Sequence, residues 1–541
     1  MPRSKFSEDS LKKNFLSGAL LLVFAGVLSK LIGAFYRIPL GNMIGAEGMA
    51  YYQAAYPVYA LLLVLSTSGL PTAVSRLVSE RIAKGEAAAA KKLFLVALFL
   101  LFVLGMLFCA VLFLFAPKIS QLIGMENAVY PMLTIAPSLL FASMVAAFRG
   151  YFQGLLNMIP TAVSQLVEQS VKLITGLFFA KKFLPYGAAF AAAGATLGVT
   201  ISEFSAFLVV AGKYIFTKKE KMTERNTESK RSLLHEILRV SVPITIGSCV
   251  MPIVSSLDSF VVTNALLANG ESASRAASLF GLLSGFAVPV ANMPGILTSS
   301  LAAAVVPALT ASSVGNHKNH AEKQAKLCIK IGIFFGLPAA FGCYFLSQPI
   351  LTMMYPRLSA EELEIASGLL KMLSPSILSL SIFQTLTGVL QGFGEMLTPI
   401  KGLVIGAVVK LSLSWFMIRR IGIYGAAFGT SACYLAAAFY AGIKTIRLLQ
   451  IKQGYLHHFF LPLLSAWFMG LFASVIAKLI ENPFASVFVS VLAAAVIYAI
   501  LLFATGSLRL SEIRKGAGTD DKAFGSRNGH RQTRNAYTWR T

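Results

Sequence analysis

Apolar stretches of about 20 residues, each long enough to cross a bilayer as a helix, recur along the whole chain between shorter polar connections. They fall at roughly 14–36, 50–75, 92–116, 127–149, 160–181, 186–212, 240–268, 278–310, 326–347, 364–392, 398–418, 422–443, 459–478 and 484–505. Backbone N–H and C=O groups in hydrocarbon must be satisfied within each segment, which demands helices rather than open strands. The expected fold is therefore all-α, a polytopic membrane bundle of about fourteen transmembrane helices. The first stretch is too long for a cleaved signal peptide and has no small-residue cleavage site. Composition agrees, with 56% hydrophobic and only 13% charged residues, far from the soluble norm.

Within this pattern one sequence is used twice. Phe152-Gln153-Gly154, Pro160, Lys172 and Tyr186-Gly187-Ala188-Ala189-Phe190 return as Leu390-Gln391-Gly392, Pro399, Lys410 and Tyr424-Gly425-Ala426-Ala427-Phe428. The Gln, Lys and Tyr anchors share one offset (391−153, 410−172 and 424−186 each give 238), and Lys181-Lys182 and Arg419-Arg420 obey it too. Such an offset covers six helices at about 40 residues each, an even number, so both copies enter the membrane in the same sense. The expected organisation is an N-lobe (1–212, helices 1–6), a charged cytoplasmic linker (213–239), a C-lobe (240–450, helices 7–12), helices 13–14 (451–506) and a disordered basic tail (507–541). A membrane chain built from two such bundles reads as a transporter with its site between the halves.

The net charge of +24 would suggest nucleic acid in a soluble protein. Here it is explained by topology, because positive charge collects in cytoplasmic loops. Lys12 and Lys13, then Arg76, Arg81, Lys84, Lys91 and Lys92, the 213–239 linker, Lys318, Lys323 and Lys326, and Lys444 and Arg447 mark every second connection. The intervening ones hold Lys118, Arg275, Arg357 and Lys478 mostly alone, so both termini are expected inside a bacterial cytoplasmic membrane. Lys181-Lys182 and Arg419-Arg420 break the rule, at equivalent places in the two copies.

The five cysteines form no CxxC pair, and the six histidines lie in connections or at helix edges. Neither disulfide nor metal is indicated, His317-x-x-His320 included, since no carboxylate or Cys cluster accompanies it. GxxxxGK[ST] and HExxH are both missing, so neither ATP binding, a cofactor nor enzymatic activity is expected. What remains is charge inside the membrane, which usually faces a cavity or a partner. The candidate cavity cations are Lys30, Arg37, Arg76, Arg149, Lys172 and Lys410; Glu168, Glu203 and Asp258 are candidates for coupling or charge balance. Lys30 and Arg37 lie two turns apart on one face of helix 1. Arg37 either faces the cavity or snorkels to the outer interface. Glu168 and Lys172, spaced i,i+4, either pair with each other or face the cavity. Two cations and no carboxylate on helix 1 suit an anionic head group, such as the pyrophosphate of a lipid-linked sugar, better than a cationic drug. Gly33 with Pro39 and Gly41, Gly69-x-Pro71, Pro289 with Pro294-Gly295, and Pro307 are expected to break helices that bend during alternating access.

The segment Gly26-x-x-Ser29-Lys30-Leu31-Ile32-Gly33, Arg37-Ile38-Pro39-Leu40, Ile44-Gly45-x-Glu47-Gly48, Tyr51-Tyr52-Gln53-x-x-Tyr56-Pro57 and Ser66–Arg76 resembles the stage V sporulation protein B and polysaccharide-exporter group. That group sits in the multidrug/oligosaccharidyl-lipid/polysaccharide (MOP) superfamily with MurJ-type lipid II flippases. The resemblance, which spans nearly the whole chain, implies two six-helix lobes in a V, two extra helices, and a lipid-linked cell-wall or polysaccharide precursor as substrate. It also implies that Lys30 and Arg37 match the cationic positions of helix 1 in lipid II flippases. One departure stands out: those flippases carry an Arg in helix 8 before a Pro-Gly-like turn, and Gly285–Gly295 here has none. The expected partners are an anionic lipid-linked glycan and membrane lipids, with no nucleic acid, and the chain is expected to be a monomer. A cation-coupled multidrug antiporter of the same fold is the alternative, and a non-transporting scaffold the third reading.

Overall fold

The computed structural model describes residues 8–217, 229–314, 318–449 and 457–507, and every element in it is helical. The basic tail from 508 and most of the charged linker (218–228) lie outside the described residues. In chain order the helices are α1 (Glu8–Thr67), α2 (Leu70–Ala83), α3 (Ala87–Ile123), α4 (Val129–Ile135), α5 (Ser138–Gly154), α6 (Ile159–Phe183), α7 (Ala188–Phe216), α8 (Lys230–Ala268), α9 (Ala273–Gly281), α10 (Val288–Asn292), α11 (Gly295–Val314), α12 (Lys318–Phe345), α13 (Ser347–Met354), α14 (Ala360–Gly392), α15 (Leu397–Ile421), α16 (Tyr424–Leu449), α17 (His457–Leu479) and α18 (Pro483–Ala504). Twelve of the described helices are long and apolar enough to cross a membrane.

The first of these folds back on itself. Helix α1 runs 60 residues, interrupted only at Gly45 (φ 68°, ψ −174°), a backbone region open essentially to glycine alone. Tyr36 and Tyr56 both place their rings beside the Lys172 ammonium, at 5.6 and 5.3 Å. A straight helix would hold residues 20 apart about 30 Å from each other, so the arms must reverse at Gly45. The expected connection between 36 and 50 is therefore a single-residue hinge. The expected break at Gly33–Gly41 is not found, because the helix runs through Pro39. Two of the fourteen expected crossings have no separate counterpart among these twelve: 14–36 and 50–75 fall in the one folded-back helix α1, and 160–181 falls in α6, which carries Glu168, Lys172, Lys181 and Lys182.

The breaks expected at Gly69-x-Pro71 and Pro294-Gly295 are present: α1 gives way to α2 there, and α10 to α11. A six-residue π turn, Leu282–Ala287, separates α9 from α10. Pro307, by contrast, sits within α11. The linker is shorter than expected, since α7 extends to Phe216 and α8 begins at Lys230. Its first turns are helical because Leu233 and Ile237, spaced i,i+4, bury against the N-lobe.

The repeat has a packing cause. Gly150 and Gly154 of α5 press on α2, where an added Cβ would come within 2.7 Å of the Pro71 carbonyl oxygen and of Val78. Their equivalents in α14, Gly388 and Gly392, press on α11, where added Cβ atoms would meet the Ala302 carbonyl and Leu309 at the same 2.7 Å. Both are GxxxG seams, which let helices approach closely where lipid gives no hydrophobic drive to associate.

The cores show how the lobes meet. One large buried cluster joins Tyr36–Tyr59 of α1 to Val262–Leu266 of α8, Leu279–Ala291 and Leu351–Ile377, all toward the Gly45 end. At the opposite end the lobes have separate cores. Leu70, Leu93, Val145 and Val210 pack in one; Leu309, Cys328 and Val389 pack in the other. Two lobes fused at one end and parted at the other form a V. Helix α8 straddles it, with Leu233 and Ile237 in the N-lobe core and Val262 in the shared one.

Candidate functional site

The N-lobe gathers most of the membrane-embedded charge. Helix α5 brings Arg149 and α6 brings Glu168, and the two pair at 2.8 Å with both side chains mostly buried. Arg149 Nε also donates to Ser164 Oγ (3.0 Å), and Gln169 Nε2 donates to the second Glu168 oxygen (2.9 Å). Of the two alternatives for Glu168 and Lys172, the i,i+4 pair is thus not formed. An i,i+4 neighbour competes with a guanidinium from the next helix, whose fork suits a carboxylate better than a point-charge ammonium does. Lys172 instead lies against Tyr36 and Tyr56, a cation–π arrangement. Tyr52 and Tyr59 extend that aromatic ladder, with centroids 5.6 and 5.7 Å from Tyr56. These tyrosines recur on one face of the second arm of α1, a signal present in Tyr52-x-x-x-Tyr56-x-x-Tyr59 but not used in the sequence reading. Glu203 of α7 is buried within electrostatic range of Arg149, Glu168 and Lys172, and it has no ion pair among the described residues.

The C-lobe treats its equivalent lysine differently. Lys410 of α15 pairs with Asp258 of α8 at 2.8 Å, again with little exposure. The second Asp258 oxygen is buried without a hydrogen-bond partner. The repeat therefore conserves the cation and changes what neutralises it.

On the first arm of α1, Lys30 is exposed and Arg37 half-buried, and neither has an ionic or hydrogen-bond partner among the described residues. Arg37 lies where the shared core begins, next to Tyr36, and Lys30 lies two turns toward the parted end. Gly33, three residues past Lys30 and four before Arg37, shares their helix face and looks onto Gln169 of α6, so this face of α1 is turned toward α6 and the two cations stand on it without an acid. Arg76 of α2 is exposed near the parted end, whereas Arg81, one turn on, is buried and pairs with Glu236 of α8 at 2.7 Å. The nine candidate residues thus divide into two paired sets (Arg149–Glu168, Lys410–Asp258), two buried N-lobe groups (Lys172, Glu203) and three cations without an ion pair among the described residues (Lys30, Arg37, Arg76).

At the Gly45 end the lobes are tied by hydrogen bonds. Asn42 Nδ2 donates to the Met354 carbonyl (2.8 Å), and Gln53 Nε2 donates to the Ser284 carbonyl in the π turn (2.6 Å). Four of the five free cysteines are buried and Cys109 is partly so. Among the described residues no group of three or more His, Cys, Asp or Glu side chains comes together to hold a metal ion.

One stability prediction follows from the Arg149–Glu168 pair. Removing one partner strands a buried charge, at a cost of about 3–5 kcal/mol, while removing both does not. Arg149→Ala and Glu168→Ala should each lower the melting temperature in detergent, and the double variant should melt above either. Glu168→Ala with Lys172→Ala should show no such compensation; finding it there would restore the i,i+4 pair.

Comparison with known proteins places this geometry. The family described as "Polysaccharide biosynthesis protein" matches residues 15–313, and MatE matches 243–416. Stage V sporulation protein B of Bacillus subtilis (strain 168) is 29% identical over 422 residues, 77% of this chain and 80% of that one. Lipid II flippase MurJ of the same organism is 27% identical over 458 residues, 81% of this chain and 83% of that one. Among solved structures, lipid II flippase MurJ in an inward closed conformation superposes with a TM-score of 0.69 at 19% identity, over 91% of this chain and all of the other. An inward-facing MATE multidrug resistance transporter of the MOP superfamily gives 0.67 at 17% identity, over 79% of this chain and 96% of that one. With two helical lobes in a V and a family match across more than half its length, the chain belongs to the polysaccharide biosynthesis protein family, within the MOP superfamily of membrane transporters.

Proposed function

We propose that this protein is a flippase that carries a polyprenyl-pyrophosphate-linked saccharide across the cytoplasmic membrane by alternating access. The observation that carries the reading is the Lys30–Arg37 face: two cations without acidic partners, on the helix that passes from the parted end of the V into the shared core. Such a face suits a pyrophosphate, which accepts several charge-assisted hydrogen bonds. The relatives named for lipid II flipping and for stage V sporulation support a peptidoglycan or spore-cortex precursor as the saccharide. The missing Arg in Gly285–Gly295 sets this chain apart from lipid II flippases at one position, so the saccharide is lipid II or another polysaccharide precursor on the same pyrophosphate carrier.

In this proposal the Gly45 end faces outside, because Arg76, Lys84, Lys91, Lys92, Lys230 and Arg231 cluster toward the parted end. Both termini are then cytoplasmic, and the V is open inward. The head group enters between the lobes, and the polyprenyl tail stays in lipid. An exposed apolar face of α18, formed by Phe488, Leu492 and Val496 among others, offers the tail a surface. With no nucleotide motif in the chain, the drive comes from an ion gradient, membrane potential or substrate consumption outside. Glu203, the unpaired buried carboxylate, is the group we assign to coupling or charge balance. The working unit is a monomer.

Purified protein in liposomes should move a fluorescent polyprenyl-pyrophosphate saccharide between leaflets without ATP. Export of cationic dyes with no movement of that lipid would make the chain an antiporter and overturn the proposal.

A further inference from the structure

The two basic doublets that break the charge rule remain unused by this function. Lys181-Lys182 close α6 and Arg419-Arg420 close α15, both in the last turn. All four side chains are exposed. Lys181, Lys182 and Arg420 have no partner among the described residues, and the Arg419 guanidinium lies 5.1 Å from the Trp415 ring. A cation at a helix C-terminus gains from the helix dipole. That accounts for one charge, as in α2, α16 and α17, whose last turns hold Arg81, Arg447 and Lys478 alone.

Helix geometry fixes where the doublets point. Lys181 is nine residues past Lys172 and Arg419 nine past Lys410, two and a half turns in each lobe. Since Lys172 and Lys410 point into their lobes, toward Tyr36 and Asp258, Lys181 and Arg419 point out of them. The outward face beneath each doublet is apolar and exposed. Phe178 is 59% exposed and sits one turn before Lys182; Phe416 is 62% exposed and sits one turn before Arg420. These phenylalanines also obey the 238-residue offset. Between each pair, Ala180 and Ile418 are fully buried in the shared core, so both doublets lie at the Gly45 end. In each lobe, then, an exposed phenylalanine is followed about 6 Å along the helix by two exposed cations. Such an arrangement suits the boundary between hydrocarbon and a leaflet's phosphates, where rings like the Trp415 indole are also favoured.

We propose that the two doublets are paired binding surfaces for anionic phospholipid, one per lobe, that hold α6 and α15 at matched depth in the leaflet at the Gly45 end. The partner is a lipid phosphodiester of the phosphatidylglycerol class, recognised by charge with the acyl chains along Phe178 or Phe416. On the orientation proposed above this is the outer leaflet, which explains why positive charge is tolerated there. The surface faces away from the inward lysines and does not depend on the identity of the transported glycan.

The test uses the full chain in nanodiscs of equal phosphatidylglycerol and phosphatidylcholine, released into native mass spectrometry. The unaltered protein should retain phosphatidylglycerol over phosphatidylcholine. K181Q/K182Q and R419Q/R420Q should each lose part of that retention, and the quadruple variant the sum. Each cation should contribute on the order of fivefold in affinity. K181R/K182R should keep it, and the glutamine variants should melt with the unaltered protein. Unchanged retention in both double variants would leave the charges serving the helix ends only, and displacement of the lipid by inorganic pyrophosphate would assign them to the substrate path. Either result overturns the proposal.

Discussion

Lys30→Glu should abolish transport while the protein still accumulates in the membrane and melts normally. The residue is exposed and has no partner among the described residues, so its replacement strands no buried group and opens no cavity. What changes is the sign of the field on the Lys30–Arg37 face of α1. A hydrogen bond to a charged group contributes about 1.5–3 kcal/mol, and its loss alone costs roughly ten- to 150-fold in affinity. Glutamate adds repulsion to that loss. Lys30→Ala should therefore be inactive or nearly so, and Lys30→Arg should retain part of the rate, because the charge survives while the donor geometry changes. The measurement is flipping of a labelled polyprenyl-pyrophosphate saccharide in liposomes at matched protein content. A Lys30→Glu protein that flips at the unaltered rate would exclude an anionic head group at this face.

Arg37 sits at a different depth and has a different role in this scheme. It lies beside Tyr36, at the edge of the shared core, within electrostatic range of Lys172 and Tyr355. Lys30 is the first cation a head group meets from the parted end, and Arg37 the last before the closed seam. The two positions mark the start and end of one path along a single helix face.

What the chain order could tell and what it could not divides along physical lines. The repeat was visible because each lobe must make the same close helix contacts: Gly154 against Val78 and Gly392 against Leu309 admit no side chain. The breaks at Gly69 and Pro294 were visible because glycine and proline act locally on the backbone. The partner of Glu168 was not visible. Spacing along α6 offers Lys172, whereas the bond goes to Arg149 on another helix, and only packing decides between them. The reversal between 36 and 50 was legible, but its contraction to Gly45 alone was not. A turn made by one residue leaves no polar connection to read, and the surrounding helix formers continue to both sides of it. The shared core at the Gly45 end, on which the V depends, joins residues more than 300 positions apart, such as Leu40 and Tyr355. No local pattern encodes it.

A disulfide across that seam should stop transport, and reduction should restore it. Residues 49 and 285 suit the purpose. Met49 lies on the second arm of α1, Gly285 in the π turn between α9 and α10, and an added Cβ at 285 would stand 2.8 Å from the Met49 Cβ. A disulfide needs about 3.5–4.5 Å between Cβ atoms, so the lobes need give only slightly to accept one. The native seam is held by Asn42 to Met354 and Gln53 to Ser284, hydrogen bonds that a modest bias between the two states can break. Two polar groups at the same seam, Asn42 Oδ1 and the Tyr355 hydroxyl, are buried without partners, and each such group costs about 1–3 kcal/mol. The closed seam is thus held loosely enough to open, whereas a covalent bond would hold it shut. In a background lacking the five native cysteines, Met49→Cys with Gly285→Cys should flip labelled lipid normally when reduced and lose nearly all activity when oxidised. Each single cysteine should be indifferent to oxidant. If the bond forms completely and the oxidised protein still flips at the reduced rate, the lobes do not part at the Gly45 end during transport, and the head group crosses by some route other than alternating access.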